Sequence, residues 1–370
     1  MIQYPRYRQH RFSSFQVIIA GFAAVDLVGA LLLMLPIAAQ QRCVTPFHEA
    51  LFTSTSALCV TGLVVQDTGS YWSAFGQSVI LLLIQIGGLG VITVGAAFAL
   101  LSGRKISLKQ RSTMQESISA PQVGGIVKLT GFILKTSLII EMIGAALLAP
   151  VFCNDLGIAK GLWYSLFHSI SAFCNAGFDL FGIKEPFSSL TFYHSNIYLN
   201  IIIMLLIITG GIGFLVWGDI GTHKHRIRRY SLQSKVVLMT SAVLIVLPAL
   251  YFFFFEYDHG TIHDRTIHSL FQSVTTRTAG FNTTDLAAMD ESGTAIMVIL
   301  MLIGGSPGST AGGMKTATFA VLFLSAITVF SRRNDVQCFK RRISDETVRS
   351  AGAVLFMYLV LFFTSGVIIS

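Results

Sequence analysis

The chain has 370 residues, of which 53% are apolar and 12% charged, about half the charged share of an ordinary soluble domain. Hydrophobicity this high excludes a disordered chain, and 33 glycines against 8 prolines fit neither a collagen repeat nor a Pro-rich linker protein. The formal charge is +8, so the position of the basic residues must decide between a nucleic-acid binder and a membrane protein.

In chain order, apolar stretches at 15–39, 75–101, 127–151, 197–217, 236–255, 295–330 and 351–369 reach the roughly 20 residues that a helix needs to cross a bilayer. Shorter stretches rich in Ser and Thr at 47–59, 162–174 and 267–276 are half that length and suit re-entrant half-helices. With residues 1–14 as a cytoplasmic basic tail, the loops 102–126, 219–235 and 331–349 share its side. That side, with Lys128 at the edge of the first loop, then carries 19 of the 26 basic residues, while 11 of the 18 acids lie opposite, which is the positive-inside bias. Nucleic-acid binding is not needed to explain the charge. The amino-terminal block lacks a small-residue cleavage site and is read as an anchor. Cys43, Cys59, Cys153, Cys174 and Cys338 contain no CxxC pair and no even set, giving neither a disulfide framework nor a zinc site.

Self-comparison finds one unit three times. Leu51-Phe52-Thr53-Ser54 runs to Val60-Thr61-Gly62-Leu63, Leu166-Phe167-His168-Ser169 to Asn175-Ala176-Gly177-Phe178, and Leu270-Phe271-Gln272-Ser273 to Thr278-Ala279-Gly280-Phe281. The three glycines are 115 and 103 residues apart. The chain therefore divides into a first pore repeat over 15–101, a second over 127–218 and a third over 236–330, followed by one more span over 350–370, which the resemblance given below makes the first span of an incomplete fourth. Non-helical backbone at membrane depth is tolerated only where it lines a water-filled path or is buried in protein. A half-helix followed by extended chain centred on Gly can aim carbonyl oxygens and its own negative end at a cation, replacing the cation's water shell. Asp67, Asp179 and Asp285 follow the glycines and are expected to stand as acids at an outer mouth.

The stretch 54–67 with Leu83-Ile84-Gln85-Ile86-Gly87-Gly88-Leu89-Gly90, the segment 271–282, and Gly304-Gly305-Ser306-Pro307-Gly308-Ser309-Thr310-Ala311-Gly312-Gly313 resemble the Trk/Ktr/HKT potassium transporters, most closely the Ktr membrane subunit. The resemblance runs through the whole chain. It implies an all-α polytopic protein of pseudo-fourfold repeats around a cation pore, with the filter at Val60–Leu63, Asn175–Phe178 and Thr278–Phe281. It further implies potassium uptake across a bacterial plasma membrane, sodium as an activator, a homodimer, and a cytosolic nucleotide-binding regulatory ring docked on the basic inner face, the nucleotide entering only through that partner. A fourth filter glycine is expected about 47 residues into the last repeat, at about 395–400, so the sequence in hand reads as an incomplete record.

Five glycines and one proline between Gly304 and Gly313 cannot continue a helix, and this loop is read as a gate beneath the filter, with Lys315 holding a closed state through carbonyls. A P-loop is rejected because the segment follows no strand. Asp26 and Glu141 each precede a filter glycine by 36 residues and are expected to accept hydrogen bonds from the neighbouring half-helix. Arg277 is expected to brace the filter from behind, and His168, His263 and His268 to be satisfied polar groups, not metal ligands. Two other classes stay open: a proton-coupled carrier using Asp26 and Glu141, and a membrane enzyme using His168, His268 and Asp285. No nucleophile, base and oxyanion set can be assembled for the latter.

Overall fold

The computed structural model describes residues 13–91, 93–96, 107–118, 124–333 and 335–369. Nearly all of the basic tail, Arg104, Lys105 and the side chain of Lys109 lie outside the described residues. Helix α1 (Ser14–Leu33) begins at a capping box, in which Gln16 N donates to Ser13 Oγ and Ser13 N to Gln16 Oε1. It is followed by α2 (Phe47–Cys59), α3 (Ala74–Leu89) and a polar helix α4 (Leu108–Ile118). The second repeat contains α5 (Ile126–Leu156), α6 (Ile158–Phe173), α7 (Ile197–Ile212) and α8 (Phe214–His223). The third contains α9 (Leu232–Tyr251), α10 (Ile262–Thr275), α11 (Glu291–Leu302) and α12 (Thr316–Phe330). A two-residue hairpin, β1 (Gln337–Cys338) and β2 (Arg341–Arg342), leads into α13 (Asp345–Ile369).

The half-helices α6 and α10 start several residues before the expected 162 and 267. Their first turns hold Lys160 and the run His263-Asp264-Arg265, which hides them from a search for apolar chain. Thr261 caps α10, its hydroxyl accepting from Asp264 N at 3.1 Å. At the outer end of α9 the helix loosens into a π turn over Phe252–Glu256. Arg265 satisfies the freed carbonyls, donating through Nη2 to Phe253 O at 2.7 Å and through Nε to Tyr257 O at 2.5 Å.

The repeats obey a rule that composition does not reveal. The spans that open them, Ser14–Leu33, Ile126–Leu156, Leu232–Glu256 and Asp345–Ile369, are each long enough to cross a membrane unbroken. The spans that close them are broken. Helix α3 stops at Leu89 with Gly90 at φ 85°, α7 and α8 meet at Gly213 at an angle of 94°, and α11 and α12 are separated by residues 303–315. The expectation of one uninterrupted helix over 197–217 is therefore corrected. Gly213, at φ 98° and ψ 146°, adopts a conformation closed to other residues, and the chain turns there.

Each half-helix is tied to its opening span by one serine. Ser54 Oγ donates to Asp26 O at 2.8 Å, Ser169 Oγ to Glu141 O at 2.6 Å and Ser273 Oγ to Ile245 O at 2.6 Å. The separation is 28 residues in all three pairs, so the repeat seen in sequence is a repeat of contacts. Lipid supplies no hydrophobic drive between helices, and close approach at small residues with interhelical hydrogen bonds does that work. Gly29 and Gly144 provide the approach: a side chain on either would meet the Ser54 or Ser169 hydroxyl. Replacing Ser169 with Ala should cost about 1 kcal/mol, with similar losses for Ser54→Ala and Ser273→Ala; thermal unfolding in detergent measures this.

Candidate functional site

The first two half-helices end in the same motif. Thr61 N donates to Ser56 O at 2.9 Å and Ala176 N to Ser171 O at 2.8 Å, each closing a Schellman turn on the left-handed residue before it, Val60 at φ 58° and Asn175 at 57°. In the third, one residue shorter, Ala279 N and Gly280 N both donate to Thr275 O, at 2.9 and 3.4 Å, around the left-handed Thr278 at φ 62°. The left-handed conformation recurs two residues later at Gly62, Gly177 and Gly280, with φ of 75°, 72° and 86°. In a plain strand successive carbonyls point to opposite sides. Left-handed residues at alternate positions break that rule and gather oxygens on one side of each segment.

These segments meet around one locus, each against the next. A Cβ on Gly62 would lie 2.5 Å from Ala176 O and 3.5 Å from the Cα of Gly177; one on Gly177 would collide with Ala279 O and come within 3.1 Å of the Cα of Gly280. The second segment, between the other two, is buried throughout from Asn175 to Phe178, whereas Thr61 and Leu63 of the first and Gly280 of the third are exposed. Among the four residues of each segment the carbonyls are not equivalent. Ser171 Oγ donates to Phe178 O at 2.7 Å and Thr275 Oγ1 to Phe281 O at 2.7 Å, so the last carbonyl of the second and third segments turns back to its half-helix.

The acids that follow the segments take part in building the loops. Asp67 is buried; its Oδ1 accepts from Ser70 N at 2.8 Å and its Oδ2 from Phe187 N at 2.9 Å, tying the first repeat to the loop that follows the second segment. That loop reaches the third repeat through Leu190 N, which donates to Asn282 O at 2.9 Å. Asp179 Oδ1 accepts from Phe181 N, and Asp285 Oδ1 from Ala287 N, both at 2.9 Å. Of the three acids expected at a mouth, Asp67 is committed to holding two loops together, while Asp179 and the exposed Asp285 each accept one backbone N–H two residues on. His168 is buried, with Nδ1 2.7 Å from Tyr164 O and Nε2 accepting from Leu180 N at 3.3 Å, which uses both ring nitrogens. Asp26 accepts from the half-helix as expected, through Thr55 Oγ1 at 2.8 Å. The Glu141 carboxylate instead receives Gln85 Nε2 at 2.9 and 3.1 Å, from the closing span of the first repeat.

The loop 304–313 is a folded element. Its neck is closed by Gly304 N donating to Met314 O at 2.9 Å and Met314 N to Leu302 O at 3.2 Å. It docks on the break in the second repeat: Ser306 N donates to Gly211 O at 2.9 Å, Thr310 N to Gly210 O at 3.3 Å, and Phe214 N to Gly308 O at 2.7 Å. The loop thus satisfies the last carbonyls of α7 and the first amide of α8, groups that a helix end leaves unpaired. Gly304, Gly305, Ser306, Thr310 and Ala311 are buried, while Pro307, Gly308, Ser309, Gly312 and Gly313 are partly exposed. Two cations hold it: Arg277 Nη2 donates to Gly304 O at 3.2 Å and Lys315 Nζ to Ala311 O at 2.7 Å. Arg277 thus braces the loop and not the filter carbonyls, beside a cavity of about 20 Å³ that Asn175 and Gly305 also line. On the other side of the loop, Gly308–Ala311, Gly88, Gly90 and Phe214 line a wider cavity of about 380 Å³.

Breaks at Gly90 and Gly213 escaped a reading by composition. The signal was present, since Gly87-Gly88-Leu89-Gly90 and Gly210-Gly211-Ile212-Gly213 have the same spacing. Comparison with known proteins matches residues 4–370 to the TrkH family, described as a cation transport protein. The chain belongs to the TrkH family. The potassium/sodium uptake protein NtpJ of Enterococcus hirae is 40% identical over 356 residues, covering 95% of this chain and 78% of that protein. The Ktr system potassium uptake protein B of Bacillus subtilis is 39% identical over 359 residues, covering 95% and 79%. The solved potassium transporter TrkH from Vibrio parahaemolyticus superposes with a TM-score of 0.73 at 18% identity, over 97% of this chain and 72% of that one. The all-α, multi-pass architecture expected from the sequence is that of the TrkH fold, and the resemblance to Trk and Ktr proteins holds at the level of family.

Two adjacent glycines test the docking of the loop. A Cβ on Gly210 would strike Phe173 O and lie 2.7 Å from Thr310 Oγ1, whereas one on Gly211 meets nothing nearer than 3.7 Å. Gly210→Ala should lower stability by about 2–4 kcal/mol, and Gly211→Ala should be neutral or stabilising by up to about 1 kcal/mol, read by thermal unfolding.

Proposed function

We propose that this TrkH-family protein carries potassium across the bacterial plasma membrane, down its electrochemical gradient, through the locus where Gly62, Gly177 and Gly280 meet. The observation that carries this reading is the contact of each glycine with the next segment. Segments from successive repeats come together at their glycines, which is the closeness that carbonyls replacing a cation's water shell would need. The relatives named above are uptake proteins for potassium or for potassium and sodium, which supports potassium as the cargo. Val60–Leu63, Asn175–Phe178 and Thr278–Phe281 would form the filter. With Phe178 and Phe281 carbonyls bonded inward, few oxygen rings remain. Discrimination against sodium is therefore weaker than in a tetrameric potassium channel with a longer filter.

The loop 304–313 is the gate in this reading. It packs against the base of the second segment with Lys315 and Arg277 holding its carbonyls, and a cavity opens on its far side. Residues 1–14 and the basic loops face the cytoplasm. Arg226, Arg228, Arg229, Lys340, Arg341 and Arg342 are exposed and offer a homodimer's inner face to a cytosolic nucleotide-binding regulatory ring. Sodium as an activator belongs to the same reading.

Rubidium uptake into proteoliposomes tests it. Gly62→Ser and Gly177→Ser should reduce flux at least about tenfold, because each side chain meets a carbonyl of the neighbouring segment. Rubidium flux equal to wild type in both would remove the filter from this locus. Deleting 305–312 should raise flux, and unchanged flux through a folded protein would exclude a gate. Reversing the charge of Arg226, Arg228 and Arg229 should abolish regulator binding while leaving ungated flux intact.

A further inference from the structure

Asn175 occupies the left-handed corner that Val60 and Thr278 occupy in the other repeats, yet only there does the side chain carry a polar fork. It is buried, and both ends of the fork are engaged. Nδ2 donates to the carbonyl of Arg277, one residue before the third segment, at 3.3 Å. Oδ1 faces Thr310 Oγ1 of the loop at 3.2 Å. The Thr310 hydroxyl has a single proton and a second acceptor, Phe173 O at 2.8 Å, at the end of the half-helix that leads into Asn175. Both acceptors therefore belong to the base of the second segment. Gly210 makes the junction possible: a Cβ there would lie 2.9 Å from Asn175 Oδ1 and 2.7 Å from Thr310 Oγ1.

Resting on the filter and gate reading above, we infer that Asn175 is a positioning residue that couples the two, so that the position of the loop sets the ion preference of the filter. With the loop docked, the Thr310 hydroxyl shares its one proton between Phe173 O and Asn175 Oδ1 and so steadies the amide plane, and Nδ2 then holds the Arg277 carbonyl in register with the second segment. When the loop withdraws, Thr310 leaves. A buried amide oxygen without a partner is costly, and the amide turns toward the acceptors and donors that remain. The Arg277 carbonyl loses its donor in that turn, and the third segment relaxes against the second. Val60 and Thr278 offer no amide for such a link, which makes the second repeat the one through which the loop is sensed.

The test compares rubidium and sodium flux for the full chain in proteoliposomes, with wild type, Thr310→Val, Thr310→Ser, Asn175→Gly and the double variant Thr310→Val/Asn175→Gly. Glycine keeps the left-handed corner while removing the amide. Thr310→Val should raise rubidium flux about fivefold, the worth of one hydrogen bond, and shift the sodium-to-rubidium ratio at least about twofold. Thr310→Ser should restore both. Asn175→Gly should shift the ratio by itself, and adding Thr310→Val should then leave the ratio where Asn175→Gly put it. The difference between potassium and sodium in raising the unfolding temperature reads the same preference in any variant whose flux is too low. A ratio unchanged in Thr310→Val and Asn175→Gly overturns the coupling, whether or not flux rises. Wild-type protein with no rubidium flux and no potassium-dependent stabilisation overturns the function proposed above and the coupling with it.

Discussion

A main-chain amide or carbonyl inside a bilayer must find a partner within the protein, because lipid offers none. The rest of this structure depends on that constraint. Three half-helices stop short of a span's length, and the polar groups released at their ends are used in two ways. Some close the ends onto themselves, through Schellman turns at Val60 and Asn175 and a shared acceptor, Thr275 O, in the third. Others lie in segments whose alternate left-handed residues reverse the usual alternation of carbonyls. The serines Ser54, Ser169 and Ser273 hold each half-helix at the depth where this can happen.

The same constraint explains the broken closing spans. Ending α7 at Gly213 exposes carbonyls at Gly210 and Gly211 and an amide at Phe214, and the loop from the third repeat supplies their partners. A loop that is also a helix cap carries a definite penalty for moving, since its departure leaves those groups unpaired until water or another segment reaches them. The buried Arg277 and the half-buried Lys315 add a second restraint by holding Gly304 and Ala311 carbonyls.

Much of this was legible in the chain. The repeat unit, the half-helix positions and the interrupted span at 304–313 follow from apolar length, Ser and Thr content and glycine spacing, because those features are local. The helix starts at Ile158 and Ile262 were missed since charged first turns interrupt the apolar pattern while stabilising a cap. The fates of Asp67 and Glu141 were not legible, because their partners Phe187 and Gln85 are chosen by tertiary packing. Asn175 reads as an ordinary turn residue beside its glycine. Its role emerges only once Thr310, 135 residues away, is seen against it.

Gly62 leans on Ala176 O and Gly177 on Ala279 O, each an oxygen of the unit that follows, while Gly280 faces back to the Cα of Gly177. The wall between two neighbouring segments is therefore shared by a glycine from one unit and an oxygen from the next. Duplicated units held in that arrangement cannot drift independently, for a change in one must be accommodated by the unit that follows it.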